Sequence, residues 1–278
     1  MTEDPRLEID LQDRRRFLDL ALELAGECRA VIRDTVAARV DVEVKPDRSL
    51  VTTADLRAEE VFRERARQRL PEAGVIGEEF GDSDPDAALQ WIIDPVDGTA
   101  EFANGLPTWG TIIALHYRGR PLVGVLDHPD LRVTCHGAFG LGAFVNGRPV
   151  RTPPAPAGGR GMKERISTPS RASWIRYTDD DARFRALTRS FPNFRSFHTC
   201  YGHVCAVTGG VDAALEWKTR LWDIAATQVV VEEAGGAYRL VEEIDHPGTG
   251  MLYSAVFGRP DLVESISALL TAATDGGG

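Results

Sequence analysis

Trp91-Ile92-Ile93-Asp94-Pro95-Val96-Asp97-Gly98-Thr99 decides how this chain is read. The apolar run Trp91-Ile92-Ile93 is a strand that delivers Asp94 to the edge of a core. Pro95 cannot continue a central strand, so the strand is expected to end at Asp94-Pro95. The turn lets Asp94 and Asp97 converge on one point. Two carboxylates held that close repel strongly unless a cation or a proton intervenes. Hard oxygen ligands on a turn favour Mg²⁺ over zinc. Gly98-Thr99 then offers backbone N–H groups with no bulky side chain between them, an anion site if a helix begins there. A metal beside an N–H cradle is what a phosphoryl group needs. The bland alternative, two loop caps around a proline turn, accounts for neither the strand in front nor the Gly-Thr behind.

A second stretch has the same design. Val75-Ile76 is a short buried strand that stops at Gly77-Glu78-Glu79. Alone, Glu78-Glu79 reads as a solvated acidic pair; as the tip of a strand adjacent to the first, it places Glu78 beside Asp94. The third acid is Asp223, in Leu221-Trp222-Asp223-Ile224-Ala225-Ala226. Trp222 to Ala234 is an almost wholly apolar, hence buried, helix closed by Gly235-Gly236. Asp223 at its start is an N-cap whose second oxygen remains able to coordinate.

Outward from these motifs the chain mixes helices and strands. Apolar residues at spacings of three and four predict an amphipathic helix within 11–38. A turn-rich loop occupies 45–49, and a second helix starts at Thr53-Ala54-Asp55 and ends before Pro71. Thr111–Leu115 and Leu122–Leu126 form a hairpin through Arg118-Gly119-Arg120. The glycines between 137 and 147 suit tight turns between short strands. Pro153 to Gly159 reads as a linker between an N-terminal half, 1–152, and a C-terminal half, 153–278. Beyond it, 165–167, 195–197 and 212–217 are expected strands. Tyr201–Thr208 and Asp261–Ala272 are expected helices, and the tail from Asp275 is expected to be disordered. The class is α/β or α+β.

Composition narrows the functions. Of 278 residues, 43% are apolar and 27% charged, which supports a packed core. The net charge of −10, from 32 Lys and Arg against 42 Asp and Glu, argues against a broad basic face for nucleic acid or anionic lipid. An acidic enzyme acting on an anionic substrate needs a local positive charge, for which a bound metal is the usual source. No apolar run is long enough to span a bilayer, and the N-terminus lacks an apolar signal core. Cys28, Cys135, Cys200 and Cys205 form no CxxC pair and read as buried, reduced thiols, which places the protein in the cytoplasm. No HExxH pair supports zinc hydrolysis. His198, His203, Trp109 and Trp217 are candidates to line the pocket, but each reads first as a packed core residue.

Together, Gly77-Glu78-Glu79, Asp94 to Thr99, Trp222-Asp223-Ile224-Ala225 and Glu233-Ala234-Gly235-Gly236 resemble the inositol monophosphatase family of Mg²⁺-dependent, lithium-sensitive phosphomonoesterases. Lys45 and Asp55 match its N-terminal motif, and the resemblance runs from about residue 15 to 270. It implies a layered αβαβα sandwich, usually a homodimer, holding two or three Mg²⁺ ions. By the same resemblance Glu78, Asp94 and the Val96 carbonyl hold one metal, and Asp94, Asp97 and Asp223 a second. Thr99, oriented by Asp55, helps deprotonate the attacking water, with Glu78 near that water. The N–H groups of Gly98 and Thr99 bind phosphate, and Glu216 faces hydroxyl or amino groups of a small phosphorylated metabolite.

Two segments, 107–115 and 119–125, look like the histidinol-phosphate phosphatase branch, and Glu101-Phe102 stands where the inositol-phosphate enzymes carry Asn-Phe. Arg220 is a candidate substrate contact, against a solvated helix-edge arginine. Adenosine 3',5'-bisphosphate and fructose 1,6-bisphosphate remain open as substrates. A haloacid-dehalogenase-type phosphatase carries Asp-x-Asp-Gly-Thr, whereas Asp94 and Asp97 are three apart, and it forms an aspartyl phosphate. A non-catalytic regulator of the same fold would be expected to have lost metal acids that are all present here.

Overall fold

The protein is described by a computed structural model covering residues 4–38, 42–44, 50–154 and 164–272. The expected loop at 45–49 with Lys45, most of the expected linker and the expected tail lie outside the described residues. A 3₁₀ turn at Pro5–Glu8 leads into α1 (Leu11–Ala38). Short strands β1 (Val42–Val44) and β2 (Leu50–Thr52) pair antiparallel before α2 (Thr53–Arg69), which opens with a capping box between Thr52 and Asp55.

An eight-stranded sheet follows, made of β3 (Gly74–Gly77), β4 (Gly81–Ser83), β5 (Leu89–Asp97), β6 (Gly110–Tyr117), β7 (Arg120–His128), β8 (Val133–Ala138), β9 (Gly142–Val145) and β10 (Arg148–Val150). Its order is β10-β9-β8-β7-β6-β5-β3-β4, and a five-residue helix, α3 (Thr99–Ala103), leaves the end of β5. β5 and β6 are buried on both faces, and each carries a short continuous apolar run, Trp91-Ile92-Ile93 and Ile112-Ile113-Ala114-Leu115. Trp91 and Ile93 pack against α1 and α2, while Ile92 faces the other way.

The second sheet contains β11 (Ile166–Ser167), β12 (Phe194–Arg195), β13 (Ala213–Thr219), β14 (Ala237–His246) and β15 (Gly250–Gly258), ordered β12-β11-β13-β15-β14. Between these strands run α4 (Arg171–Trp174), α5 (Asp181–Ser190), α6 (Tyr201–Thr208), α7 (Leu221–Ile224) and α8 (Thr227–Glu233), with α9 (Pro260–Ala272) closing the described chain. Residues of α6 and α8 pack between the sheets, and residues of α4, α5 and α9 cover the outer face of the second. The layers are therefore α1/α2, sheet, α6/α8, sheet and α4/α5/α9, an αβαβα sandwich. All four cysteines are free and buried, and among the described residues no helix is long and apolar enough to cross a membrane.

Three expectations need correction. The strand through Trp91 does not end at Pro95; β5 runs on to Asp97. Its pairing with β3 stops at Ile93, and its register with β6 slips between Asp94 and Asp97. A proline is tolerated in that bulge, where no ladder partner waits for its missing N–H. The single helix expected over Trp222–Ala234 is instead α7 and α8, separated at Ala225-Ala226. There the His116 ring Nε2 lies 3.0 Å from the Ala225 carbonyl, and a Cβ on Gly124 would crowd the Ala226 carbonyl at 2.6 Å. Close contact with the first sheet thus coincides with the break. The strand expected over 195–197 is only Phe194–Arg195.

Candidate active site

The end of β5 is organised by its own backbone. Asp94 is buried, and its Oδ1 accepts the Val96 N–H at 3.1 Å. The Thr111 hydroxyl donates to the Pro95 carbonyl at 2.8 Å. Asp97 is half-buried and accepts the backbone N–H of Cys200 at the start of α6. Gly98 adopts a left-handed φ of 88°, and a Cβ there would fall on the Thr199 side chain, so both space and backbone call for glycine. The Thr99 hydroxyl lies 3.3 Å from Asp55 Oδ1 and 3.2 Å from the Val96 carbonyl. Asp55 is buried in the first turn of α2 and accepts the Thr52 N–H at 3.0 Å. Burial pushes its carboxyl up to about 6, against the lowering effect of the Thr52 hydrogen bonds.

Two further elements bring acids to this point. β3 lies parallel to β5, with Gly77 opposite Ile93, so the next residue, Glu78, emerges beside Asp94. Asp223 arrives from the second sheet on α7. It is not the N-cap expected from the sequence: Arg220 holds that position and Asp223 stands three residues on, where its Oδ2 accepts the Arg220 N–H at 2.7 Å and the Thr219 hydroxyl. Oxygens of Asp94, Asp97 and Asp223 lie within 4.8 Å of one another. Burial raises all three, Asp94 and Asp97 well above the usual carboxylate range and Asp223 to about 7. The negative charge of Glu78 raises Asp94 and Asp223 further. Such crowding makes this a group that could hold a cation.

Glu78 and Asp223 open onto a cleft of about 360 Å³ that Glu216, His198, Trp217 and Trp222 also line. His198 therefore faces the site, whereas Trp217, at the edge of the cleft, is packed in the outer core as expected, and Trp109 is core too, its indole N–H donating to Asp130 at 2.8 Å. His203 is also buried; its Nε2 lies 3.0 Å from Glu216 and its Nδ1 2.8 Å from the Thr227 hydroxyl. Burial pushes His203 down to about 3, so the ring is neutral, and pushes Glu216 up to about 8. Arg220 lines the cleft too, but its guanidinium is already engaged by the Thr249 carbonyl.

One part of the site went unread in the sequence. Between Glu216 and Thr219 the register of β13 against β15 slips, and Lys218 inside the bulge has φ 55° although it is not glycine. Lys218 is buried. Its ammonium pairs with Glu242 and lies 3.7 Å from Asp180, while Arg183 bridges Asp180 at 3.1 Å and Glu242 at 3.4 Å. Trp217 donates to Asp180 at 3.0 Å and stacks on Trp174 with ring centroids 4.0 Å apart. The bulge that points Glu216 into the cleft is thus held from below by four charges. The only sequence signal was a lysine between two tryptophans and an acid.

The sequence pattern that defines the inositol monophosphatase family matches residues 13–269. The chain belongs to the inositol monophosphatase family. It is 35% identical over 237 residues to a histidinol-phosphatase of Mycobacterium tuberculosis, covering 84% of this chain and 90% of that protein. It is 34% identical over 225 residues to a histidinol-phosphatase of Chlorobaculum parvum, covering 79% of this chain and 83% of that one. Among solved structures, an inositol monophosphatase from Zymomonas mobilis superposes with a TM-score of 0.75 at 26% identity, over 92% of this chain and 98% of that one. As a member of the family the chain is a phosphoric monoester hydrolase. The family is metal-dependent, and the Asp94, Asp97 and Asp223 group is one that could hold a metal.

Proposed function

We propose that this phosphatase hydrolyses histidinol phosphate, with Mg²⁺ as its metal and water as its nucleophile. The observation that carries the reading is the convergence of Asp94, Asp97 and Asp223 within 4.8 Å, next to Glu78 and on the edge of the cleft that Glu216 lines. The phosphoryl end sits at the acids and the organic end against Glu216 and Trp222. Glu216 is half-buried and held at an elevated pKa, so a cationic amine is the partner that best restores its charge. The histidinol-phosphatases among the relatives support the same choice.

Glu78, Asp94 and the Val96 carbonyl would hold one ion, and Asp94, Asp97 and Asp223 a second, of two or three in all. When bound, Mg²⁺ supplies a lowered pKa for water and positive charge for the phosphoryl oxygens. The protein positions the rest. Asp55 Oδ1 accepts the Thr99 hydroxyl proton, which frees the Thr99 oxygen to accept the proton of the attacking water. A carboxylate with a pKa near 6 is matched to that exchange at neutral pH. The Gly98 and Thr99 N–H groups orient the phosphate. Attack is in line, without a phosphoenzyme.

The test is kcat/KM with Mg²⁺ for histidinol phosphate, myo-inositol 1-phosphate, fructose 1,6-bisphosphate and adenosine 3',5'-bisphosphate. Histidinol phosphate is expected to lead; equal rates on all four mean a broad phosphatase. Single turnover in labelled water is expected to place the label in phosphate, and a trapped enzyme ester would overturn the direct attack. A second reading, inositol monophosphate, is favoured by one point, that a carboxylate at Glu216 also accepts sugar hydroxyls. The homodimer, the cytoplasmic location and the halves 1–152 and 153–278 belong to the same proposal. A particle of about twice 30.4 kDa by light scattering would support the dimer.

A further inference from the structure

Glu59 lies in the interior of α2 and is fully buried, yet it is a carboxylate. It is satisfied by main chain rather than by the core around it. Its Oε2 accepts the Glu79 N–H at 2.9 Å, and its Oε1 accepts the Phe80 N–H at 3.2 Å. The charge is balanced one helical turn on by Arg63, whose Nε donates to Oε1 at 2.8 Å. The same guanidinium reaches across to the Gly81 carbonyl. The two side chains therefore grip both ends of the turn from β3 to β4. A Cβ on Gly77 would run into the Glu59 carboxylate, so the residue before Glu78 has to be glycine for the grip to close. Glu78 stands between that glycine and the held N–H of Glu79, and its own N–H approaches the Ile93 carbonyl at 3.4 Å. Its backbone is fixed on both sides.

We propose that Glu59, clamped by Arg63, is a positioning residue that aims Glu78 at the Asp94–Asp223 centre and thereby sets divalent-cation affinity. The idea rests on the metal reading of Glu78 given above. Asp55 and Glu59 are four residues apart on α2, so they share one face. That face presents Asp55 to Thr99 and Glu59 to the Glu78 turn. One rigid helix thus sets two groups that belong to different loops. A carboxylate is required at 59, because an amide there would turn an N–H toward one of the backbone N–H groups.

The experiment is calorimetric titration of the metal-free protein with Mn²⁺ and with Mg²⁺, beside its melting temperature without metal. Glu59→Gln is expected to weaken the divalent Kd by about 10-fold, the lower end of what outer-shell partners of a metal site contribute. A merely structural role would lower the melting temperature and leave the Kd of the folded protein unchanged. Glu59→Asp keeps the charge but is too short to reach both N–H groups, and Arg63→Lys loses the fork that joins Glu59 to Gly81. These two carry the test if Glu59→Gln does not fold, with an expected loss of about fivefold, below the usual range because each keeps part of the grip. A Kd within twofold of wild type in the folded variants overturns the proposal while leaving the metal site standing. A wild-type protein that binds neither cation overturns both.

Discussion

The segments Asp94–Thr99 and Glu216–Asp223 serve the same centre and are built on opposite plans. The first is shaped at its centre by its own backbone: Asp94 bonds Val96, Thr99 reaches the Val96 carbonyl, and a bulge with a proline turns the chain, while Thr111, Asp55 and Cys200 each add one contact from elsewhere. The second is assembled from afar. Lys218 in its bulge depends on Asp180, Arg183 and Glu242, and Glu216 on His203. A locally braced loop fixes Asp94 and Asp97, two of the three acids that could hold a metal, where small errors would cost most. A wall held by distant side chains can be altered one contact at a time, which suits the part that meets the variable end of a substrate.

The difference can be broken most severely on the first segment. Asp94→Asn removes a carboxylate that both proposed ions share, and kcat/KM is expected to fall by about 10³-fold or more, the loss of several kcal/mol of charge stabilisation. Wild-type turnover in the purified, folded variant would refute the assignment. On the second segment, Lys218→Met leaves Asp180 and Glu242 to share Arg183 alone. Breaking a buried pair of this kind costs about 3 kcal/mol, read by denaturant unfolding. KM should rise more than kcat falls, because the proposed metal ligands Asp94 and Asp97 are untouched. An unchanged KM would mean that the bulge does not depend on its lysine.

Glu216→Gln is a smaller change with a sharper readout. It should lower kcat/KM for histidinol phosphate by about 30-fold, as expected for a lost charge-assisted hydrogen bond, and leave a phosphomonoester without an amine nearly unaffected. Equal losses on both would assign Glu216 to structure. A further readout is the change of stability with pH. An unfolded glutamate ionises near pH 4.3, whereas Glu216 in the fold holds its proton to about 8. The fold binds that proton more tightly, so the contribution is full below the unfolded value and is lost as pH rises through 8. The melting temperature of the metal-free protein should therefore fall from pH 5 to pH 9, with a shallower slope in Glu216→Gln. Identical slopes would count against a buried, protonated Glu216.

The contrast also explains what could be read beforehand. Asp94 to Thr99 was legible because its determinants are neighbours in sequence, and the hairpin of β6 and β7 because its apolar positions are continuous. Pro95 misled because a rule about central strands ignores a bulge where one neighbour has already stopped. β14, Ala237–His246, escaped notice because an edge strand carries charges where a buried one carries valines. α5 escaped because Leu187 is its one fully buried apolar residue. Lys218 and Glu59 look like solvated charges, since the partners that make their burial tolerable come from residues 180, 183 and 242 in one case and from backbone N–H groups in the other. Glu216 is legible through the family resemblance, seven residues before Asp223, but nothing in the sequence pairs it with the buried His203 beneath it.

The thiols offer an experimental handle. Cys28 sits in the core beneath α1 and α2, while Cys135, Cys200 and Cys205 sit in the core between the sheets. Burial pushes Cys28 and Cys135 to about 12, so neither reacts with an alkylating reagent while its layer is closed. Pulse labelling followed by mass spectrometry would time the opening of the outer helical layer separately from that of the middle one, with no engineered reporter.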